Sequence, residues 1–268
     1  MNRPNILLIG ANSMLGKAVM AEPRDGLALT AISHHELPEA DFSSYDAVIN
    51  MAYDPRYMRT AYDSALDFDR SVAERAVDSG AHFVMMSTRR VYGPTSGAAI
   101  RENDPTKPMD NYGANKLRTE DEVRRLLGNR CTILRVANVF GYEPGRHTFF
   151  GIALETLRRN GRVILDSNPF VEKDFLPLSE CAASIISVLR KKPSGIFNLG
   201  YGTATPIGRI AMWLIEGYSE GELLITSAEE RDAFLLDSSK LRAVADLPKR
   251  TGTVRDHCIE IGKRLRDA

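Results

Sequence analysis

The sequence predicts an α/β protein, a doubly wound parallel sheet followed by a smaller C-terminal lobe. Three observations carry this. Short apolar runs alternate with helix-length stretches through the first half of the chain, the pattern of βαβ units. The first run, Asn5-Ile6-Leu7-Leu8-Ile9, leads straight into a glycine-bearing turn that opens a helix. Beyond residue 142 the alternation gives way to segments punctuated by Pro, Gly and Asn, as in Glu143-Pro144-Gly145, Asn160-Gly161 and Asn168-Pro169. The expected division is residues 1–142 for the sheet, with returning segments near 174–200, and 143–268 mainly for the lobe.

The turn after the first strand reads Gly10-Ala11-Asn12-Ser13-Met14-Leu15-Gly16. Strand, small-residue turn and helix is the local order a dinucleotide site requires. Backbone N–H groups then approach a pyrophosphate, and the helix N-terminus favours its charge. Ser13 stands where a middle glycine is usual, so the pattern is imperfect. A second strand is expected over 27–32. An acid at its end would take the ribose hydroxyls of NAD. The chain instead reads Ser33-His34-His35, which favours the 2′-phosphate of NADP, while Glu36 keeps NAD open.

Further strands are expected over 45–52, 82–86 and 132–136, with a helix over 59–79 ending at Gly80. A loop rich in Gly, Pro, Ser and Asn follows Gly93 and runs through Pro105 and Pro108 into a helix that begins near Tyr112 and ends at Gly128-Asn129. On that helix Tyr112 and Lys116, four apart, share one face. A free phenol has a pKa near ~10, and a neighbouring cation lowers it, so the pair suits acid/base work. In the last third, helices are expected over 150–159, 179–190 and 253–265, with a strand over 196–200. Trp213, spaced helically with Ile210, Leu214 and Ile215, reads as core.

Composition narrows the function classes. Lys+Arg and Asp+Glu are 35 each in 268 residues, which gives no charge signal for a nucleic acid polymer or a membrane surface. No secretory signal or spanning segment is expected. Cys131, Cys181 and Cys258 are widely separated, odd in number and without metal spacing, so reduced thiols, a cytoplasmic setting and no metal site are expected.

Taken together the motifs form an ordered set: Gly10 to Gly16, Asn50-Met51-Ala52, Ser87 to Gly93, Pro105 to Lys116 and Leu134 to Gly141. This set resembles the extended short-chain dehydrogenase/reductases, in particular the NAD-dependent epimerase/dehydratase group acting on nucleotide sugars. Lys173-Asp174-Phe175, Phe197-Asn198-Leu199-Gly200 and Asp237-Ser238-Ser239-Lys240-Leu241 resemble its later landmarks. The resemblance implies a Rossmann-like sheet, a substrate-binding lobe and a homodimer. It implies Tyr112 as the acid/base, Lys116 as the cation that lowers its pKa and holds the nicotinamide ribose, and Thr88 as the donor to the reacting oxygen. For the cofactor it implies Gly10, Asn12, Ser13, Met14, Leu15 and Gly16 on the pyrophosphate and Ser33 and His34 on the ribose. Asp41 and Phe42 would lie along the adenine, with Met51, Ala52, Tyr53, Ser87 and Val136 near its middle and nicotinamide end. For a nucleotide-sugar substrate it implies Asn138 and Lys173, with Arg89 and Arg90 either on a phosphate or in solvent.

The departures bear on the reaction. The dehydratases of this group carry Asp-Glu directly after the catalytic Thr, and here Arg89-Arg90 stand in their place. The short chain and the missing acid after the second strand point to NAD(P)H-dependent reduction of a keto-sugar nucleotide, a 4-keto-6-deoxyhexose. A nucleotide-sugar epimerase is the alternative, and a non-catalytic dinucleotide sensor is a third reading.

Overall fold

The computed structural model describes residues 3–24, 26–94, 98–230 and 232–268. Met1, Asn2 and positions 95–97 of the loop after Gly93 lie outside the described residues. In chain order the first half runs β1 (Asn5–Ile9), α1 (Met14–Ala21), β2 (Ala28–Ile32), β3 (Ala47–Asn50), α2 (Phe68–Ser79), β4 (His82–Thr88), β5 (Ala99–Ile100), α3 (Asn111–Leu127) and β6 (Cys131–Val136). The second half runs β7 (Asn138–Phe140), α4 (Phe149–Asn160), β8 (Arg162–Leu165), β9 (Glu172–Pro177), α5 (Leu178–Lys191), β10 (Gly195–Leu199), β11 (Ala204–Pro206), α6 (Ile207–Tyr218), β12 (Glu222–Ile225), β13 (Leu235–Leu236), α7 (Ser239–Val244) and α8 (Val254–Arg266).

Among the described residues, six strands form one sheet in the order β2-β1-β3-β4-β6-β10. All neighbours run parallel. Parallel strands need helical crossovers, and the helices bury both faces, which is why the strands read as unbroken apolar runs rather than alternating ones. Leu7, Ile9, Val48, Phe83, Met85 and Ile133 pack on one face against Val72, Ala76, Val123 and Leu127 of α2 and α3. Ile6, Leu8, Ile49, Val84 and Leu134 pack on the other, in a layer that continues through Val19, Cys181 and Ile185. The strand order reverses between β1 and β3, and the crevice outside their carboxyl ends is where ligands bind in open sheets.

Apart from this sheet, β7, β9 and β11 form a three-stranded sheet, and β8–β12 and β5–β13 form two-stranded pairs. Trp213 is half-buried against the large core, as its spacing predicts.

Two stretches fold differently from the sequence expectation. The helix expected over 59–79 begins only at Phe68, with Asp67 as N-cap accepting from the Arg70 amide at 3.1 Å. Before it, Pro55–Met58 and Ser64–Leu66 form separate 3₁₀ turns capped by Asp54 and Asp63. Short carboxylates that bond the backbone two residues on compete with a continuing helix. Likewise Ser33 caps a 3₁₀ helix over His34–Glu39, and the Glu36 carboxylate turns back to accept from the Ser33 amide at 2.7 Å.

Beneath the sheet, His82 lies 2.8 Å from the Thr132 hydroxyl, which itself donates to the Pro193 carbonyl. The hydroxyl proton is therefore committed, and His82 donates from Nε2 as a neutral ring. Burial, with Lys192 and Arg130 nearby, pushes its pKa from 6.5 down to about 4. A base with a depressed folded pKa binds fewer protons folded than unfolded, so stability is lost as pH falls from 6.5 to 4. We expect His82→Gln to flatten that part of the stability curve, read by urea midpoints across the window. An equally steep loss in the variant would assign the acid limb to other groups.

Candidate active site

Three loops converge at the carboxyl ends of the central strands. The first follows β1. Gly10 has φ of 90°, and a Cβ there would stand 2.6 Å from the Ala52 amide nitrogen. A side chain would thus force apart the ends of β1 and β3. Ser13 caps α1 by accepting from the Gly16 amide at 3.0 Å. That leaves the first-turn amides of Met14 and Leu15 without an intrahelical acceptor, at residues that border the crevice. The Ser13 that departs from the glycine pattern therefore serves as the cap.

The second loop follows β3. The Asn50 side chain accepts from the Ala52 amide at 3.0 Å and donates to the Ala52 carbonyl at 3.1 Å, which fixes the turn carrying Met51, Ala52 and Tyr53. Its amide also donates to the Asp69 carboxylate at 2.8 Å.

The third wall comes from β4 and α3. Asp110 caps α3 by accepting from the Gly113 amide at 2.8 Å. Position 113 is pressed against the 3₁₀ turn after Thr88, since a Cβ there would lie 2.6 Å from the Arg90 carbonyl oxygen. Glycine beside Tyr112 thus lets the start of α3 close onto the Thr88 turn. Asn115 ties the helix to the 57–60 loop by donating to the carbonyls of Tyr57 at 2.7 Å and Thr60 at 3.0 Å. Behind Ser87 lies a buried knot. Its hydroxyl donates to Glu120 at 2.5 Å, and Glu120 holds the Arg135 guanidinium at 2.6 Å.

Ser13, Met14, Leu15, Met51, Ala52, Tyr53, Ser87, Thr88, Tyr112, Lys116 and Val136 line one cleft. Gly10, Asn12, Ser33 and His34 line an adjoining hollow that shares Ser13, Met51, Ala52 and Tyr53 with it. Gly16 sits beneath the turn, close on the Gly10 carbonyl.

Other residues singled out in the sequence lie elsewhere. Asp41 is turned onto Ser43, Phe42 is buried under the Arg75 guanidinium, and both border a separate hollow. Arg89 is neither on the cleft nor in solvent. It is buried, forms a two-pronged pair with Asp232 and lies over the Phe234 ring, which ties the Thr88 turn to the segment before β13. Arg90 pairs with Asp110 at 3.0 Å. Asn138 opens β7 in register with Phe175 of β9, and Lys173 lies on β9 against Phe234; neither borders the main cleft.

Sequence reasoning missed Arg146 and Thr148 on the far wall of the cleft. Arg146 is held by Glu143 at 2.8 Å and reaches the Met14 sulfur at 3.0 Å. The Thr before the apolar start of α4 was a readable N-cap signal; the arginine had none.

The electrostatics also differ from expectation. Lys116 is buried, and its ammonium donates to Asp69 at 2.5 Å and to the Met86 carbonyl at 2.9 Å. Desolvation is the largest influence and opposes its charge, but Asp69, Tyr112 and Tyr57 together outweigh it and hold its pKa above the ordinary value. The resemblance implies a phenol whose pKa Lys116 has lowered. In the structure burial, helped by Asp69 and Tyr53, outweighs the cations Lys116 and Arg90 and pushes Tyr112 upward.

Comparison with known proteins bears on the family and the fold. A family profile described as the RmlD substrate binding domain matches residues 4–168. The chain belongs to that family. The UDP-glucose 4-epimerase of Azospirillum brasilense is 29% identical over 198 residues, which cover 65% of this chain and 56% of that protein. RMD from Pseudomonas aeruginosa, solved with NADPH, superposes with a TM-score of 0.81 at 20% identity, covering 98% of this chain and 99% of that one. A UDP-N-acetylglucosamine 4-epimerase from Methanobrevibacter ruminantium M1 superposes with a TM-score of 0.79 at 17% identity, covering 98% of each chain. The RmlD-type chain thus has the fold of the extended short-chain dehydrogenase/reductases. Among its described residues no helix is long and apolar enough to cross a membrane, and no group of three His, Cys, Asp or Glu side chains could hold a metal ion.

Proposed function

We propose that the protein is an NAD(P)H-dependent reductase of a keto-sugar nucleotide, a 4-keto-6-deoxyhexose. One observation supports this above the others: Thr88, Tyr112 and Lys116 line a single cleft with the Ser13–Leu15 helix start. A dinucleotide fits these residues, with its pyrophosphate on the Met14 and Leu15 amides. The cofactor supplies the hydride. Thr88 and Tyr112 hydrogen-bond the ketone oxygen and stabilise its developing charge, and Tyr112 passes its proton to the alkoxide. Lys116 gives two donors to Asp69 and Met86, and its third would be left for the ribose of a bound dinucleotide. With Arg89 bound to Asp232 where dehydratases carry an acid, no acid pair follows Thr88 to assist loss of water.

NADPH is the proposed partner over NADH. Ser33 and His34 border the adjoining hollow, and Glu36, the nearby acid, is engaged with the Ser33 amide. A cytoplasmic setting is proposed with it, supported by three buried, unpaired cysteines among the described residues, and a homodimer is proposed on the family resemblance alone. The relatedness to a UDP-glucose 4-epimerase favours a second reading, in which bound NAD+ takes a hydride and returns it to the other face of the sugar.

The test is to denature the purified protein and identify any released dinucleotide, then follow NADPH oxidation with nucleotide-linked 4-keto sugars. Empty protein that consumes NADPH with a keto-sugar nucleotide is the expected result. Stoichiometric NAD+ with isomerisation of a UDP-sugar would replace reductase by epimerase.

A further inference from the structure

Asp69 and Lys116 form a buried ion pair between α2 and α3. Burying two charges is costly unless each is partnered. Here most of the partnering is in place. Lys116 donates to Asp69 at 2.5 Å and to Met86 O at 2.9 Å, and the other oxygen of Asp69 accepts from Asn50 at 2.8 Å. Asp69, Lys116 and Asn50 are 4%, 5% and 1% exposed, so solvent hardly screens the pair. Asp69 comes from α2 and Lys116 from α3, the helix that carries Tyr112 one turn earlier, and Tyr112 and Lys116 line the same cleft.

We infer that Asp69 is a positioning residue whose carboxylate cancels much of the field of Lys116 at Tyr112, so that the site is set to donate a proton from a phenol rather than to accept one onto a phenolate. The inference rests on the proposed reductase reading and deepens it. In the reduction, the hydride forms a C–H bond at the carbonyl carbon, the C=O π pair moves to oxygen, and the Tyr112 O–H bond breaks to give the alcohol. NADPH is oxidised, the ketone is reduced, and solvent reprotonates the phenolate. The reverse reaction needs the phenolate at the start. The charged and titratable groups facing Tyr112 are Lys116 on its own helix, Asp69 on α2, Tyr53 after β3 and Arg90 after β4. Both cations favour the phenolate, while Asp69 and Tyr53 oppose it, and burial adds to the opposition. Of the opposing groups only Asp69 carries a full charge, and it also grips the nearer cation.

The test needs neither cofactor nor turnover. Tyr112 ionisation is followed by ultraviolet difference absorbance, each protein measured against the same protein carrying Tyr112→Phe. The parent should titrate above the ordinary tyrosine range. Asp69→Asn keeps the shape and can still meet Asn50, and its Tyr112 midpoint should fall by about one pH unit or more, a tenfold rise in phenolate at fixed pH. An unchanged midpoint in a folded Asp69→Asn protein overturns the inference. Should Asp69→Asn fail to fold, the double variant Asp69→Asn/Lys116→Met removes both buried charges. Its midpoint should match the parent within about half a unit if the two fields cancel. A rise of about one unit or more there would show that Lys116 acts unscreened, and would also overturn it. If the midpoints behave as expected but no keto-sugar is reduced, the reductase reading falls and the assignment of Asp69 stands.

Discussion

Tyr112→Phe should lower the rate of keto-sugar reduction by about 10²–10⁴-fold, the usual worth of a positioned general acid. Dinucleotide affinity should change by no more than about twofold, because phenylalanine keeps the packing of the α3 start and the pyrophosphate seat lies on the Met14 and Leu15 amides. Stopped-flow quenching gives the affinity and NADPH consumption gives the rate. The pair of readouts matters. Loss of both would make Tyr112 a structural residue, and loss of neither would remove it from catalysis and revive a dinucleotide sensor. The pH dependence follows from the same residue. With the phenol held above its ordinary pKa, the proton donor stays loaded through the neutral range. Reduction should then show no alkaline limb from Tyr112 until pH exceeds the ordinary tyrosine value of about 10.

The largest expected effect on stability is at Glu120. Its carboxylate is fully buried, takes the Ser87 hydroxyl and holds Arg135 through contacts of 2.6, 3.1 and 3.1 Å. Glu120→Ala leaves the 3% exposed Arg135 without its counter-charge and should cost about 3–5 kcal/mol in urea unfolding. The double variant Glu120→Leu/Arg135→Met should recover most of that loss, since a buried pair and a well-packed apolar pair are close in stability. A single variant within about 1 kcal/mol of the parent would mean that water reaches the knot and that the pair is solvated in solution.

Strands buried on both faces and helices ended by glycine were legible because each signal is local. The run 5–9, the turn 10–16 and the α3 boundaries follow from a few adjacent residues. The start of α2 was less legible. Asp54, Asp63 and Asp67 each offer a cap within a few residues, and only packing decides which of them opens the long helix. The wall of the candidate site was readable as a set of spaced motifs, but its electrostatics were not. Asp69 sits on a helix rich in charge, where a carboxylate reads as one more solvated group. Its meaning comes from a lysine 47 positions away. Arg89 had the opposite fate: beside the proposed catalytic threonine it was open between a phosphate and solvent, and Asp232, 143 positions on, claims it instead. Long-range pairing of this kind leaves no periodicity behind.

The position of β10 bears on how the chain is made. It is the last strand of the central sheet, and it covers the outer edge of β6 in parallel register from Gly195 on Thr132 to Leu199 on Val136. Until it arrives, β6 presents an open ladder of apolar strand, the kind of edge that recruits other chains. Roughly sixty residues separate the two strands, so at ~5–20 residues per second that edge waits several seconds on the ribosome. Arrested nascent chains ending near residue 180 should therefore be more aggregation-prone, and more readily held by a chaperone, than chains that extend past 200. Equal behaviour of the two lengths would show that β6 is covered by something other than its final neighbour.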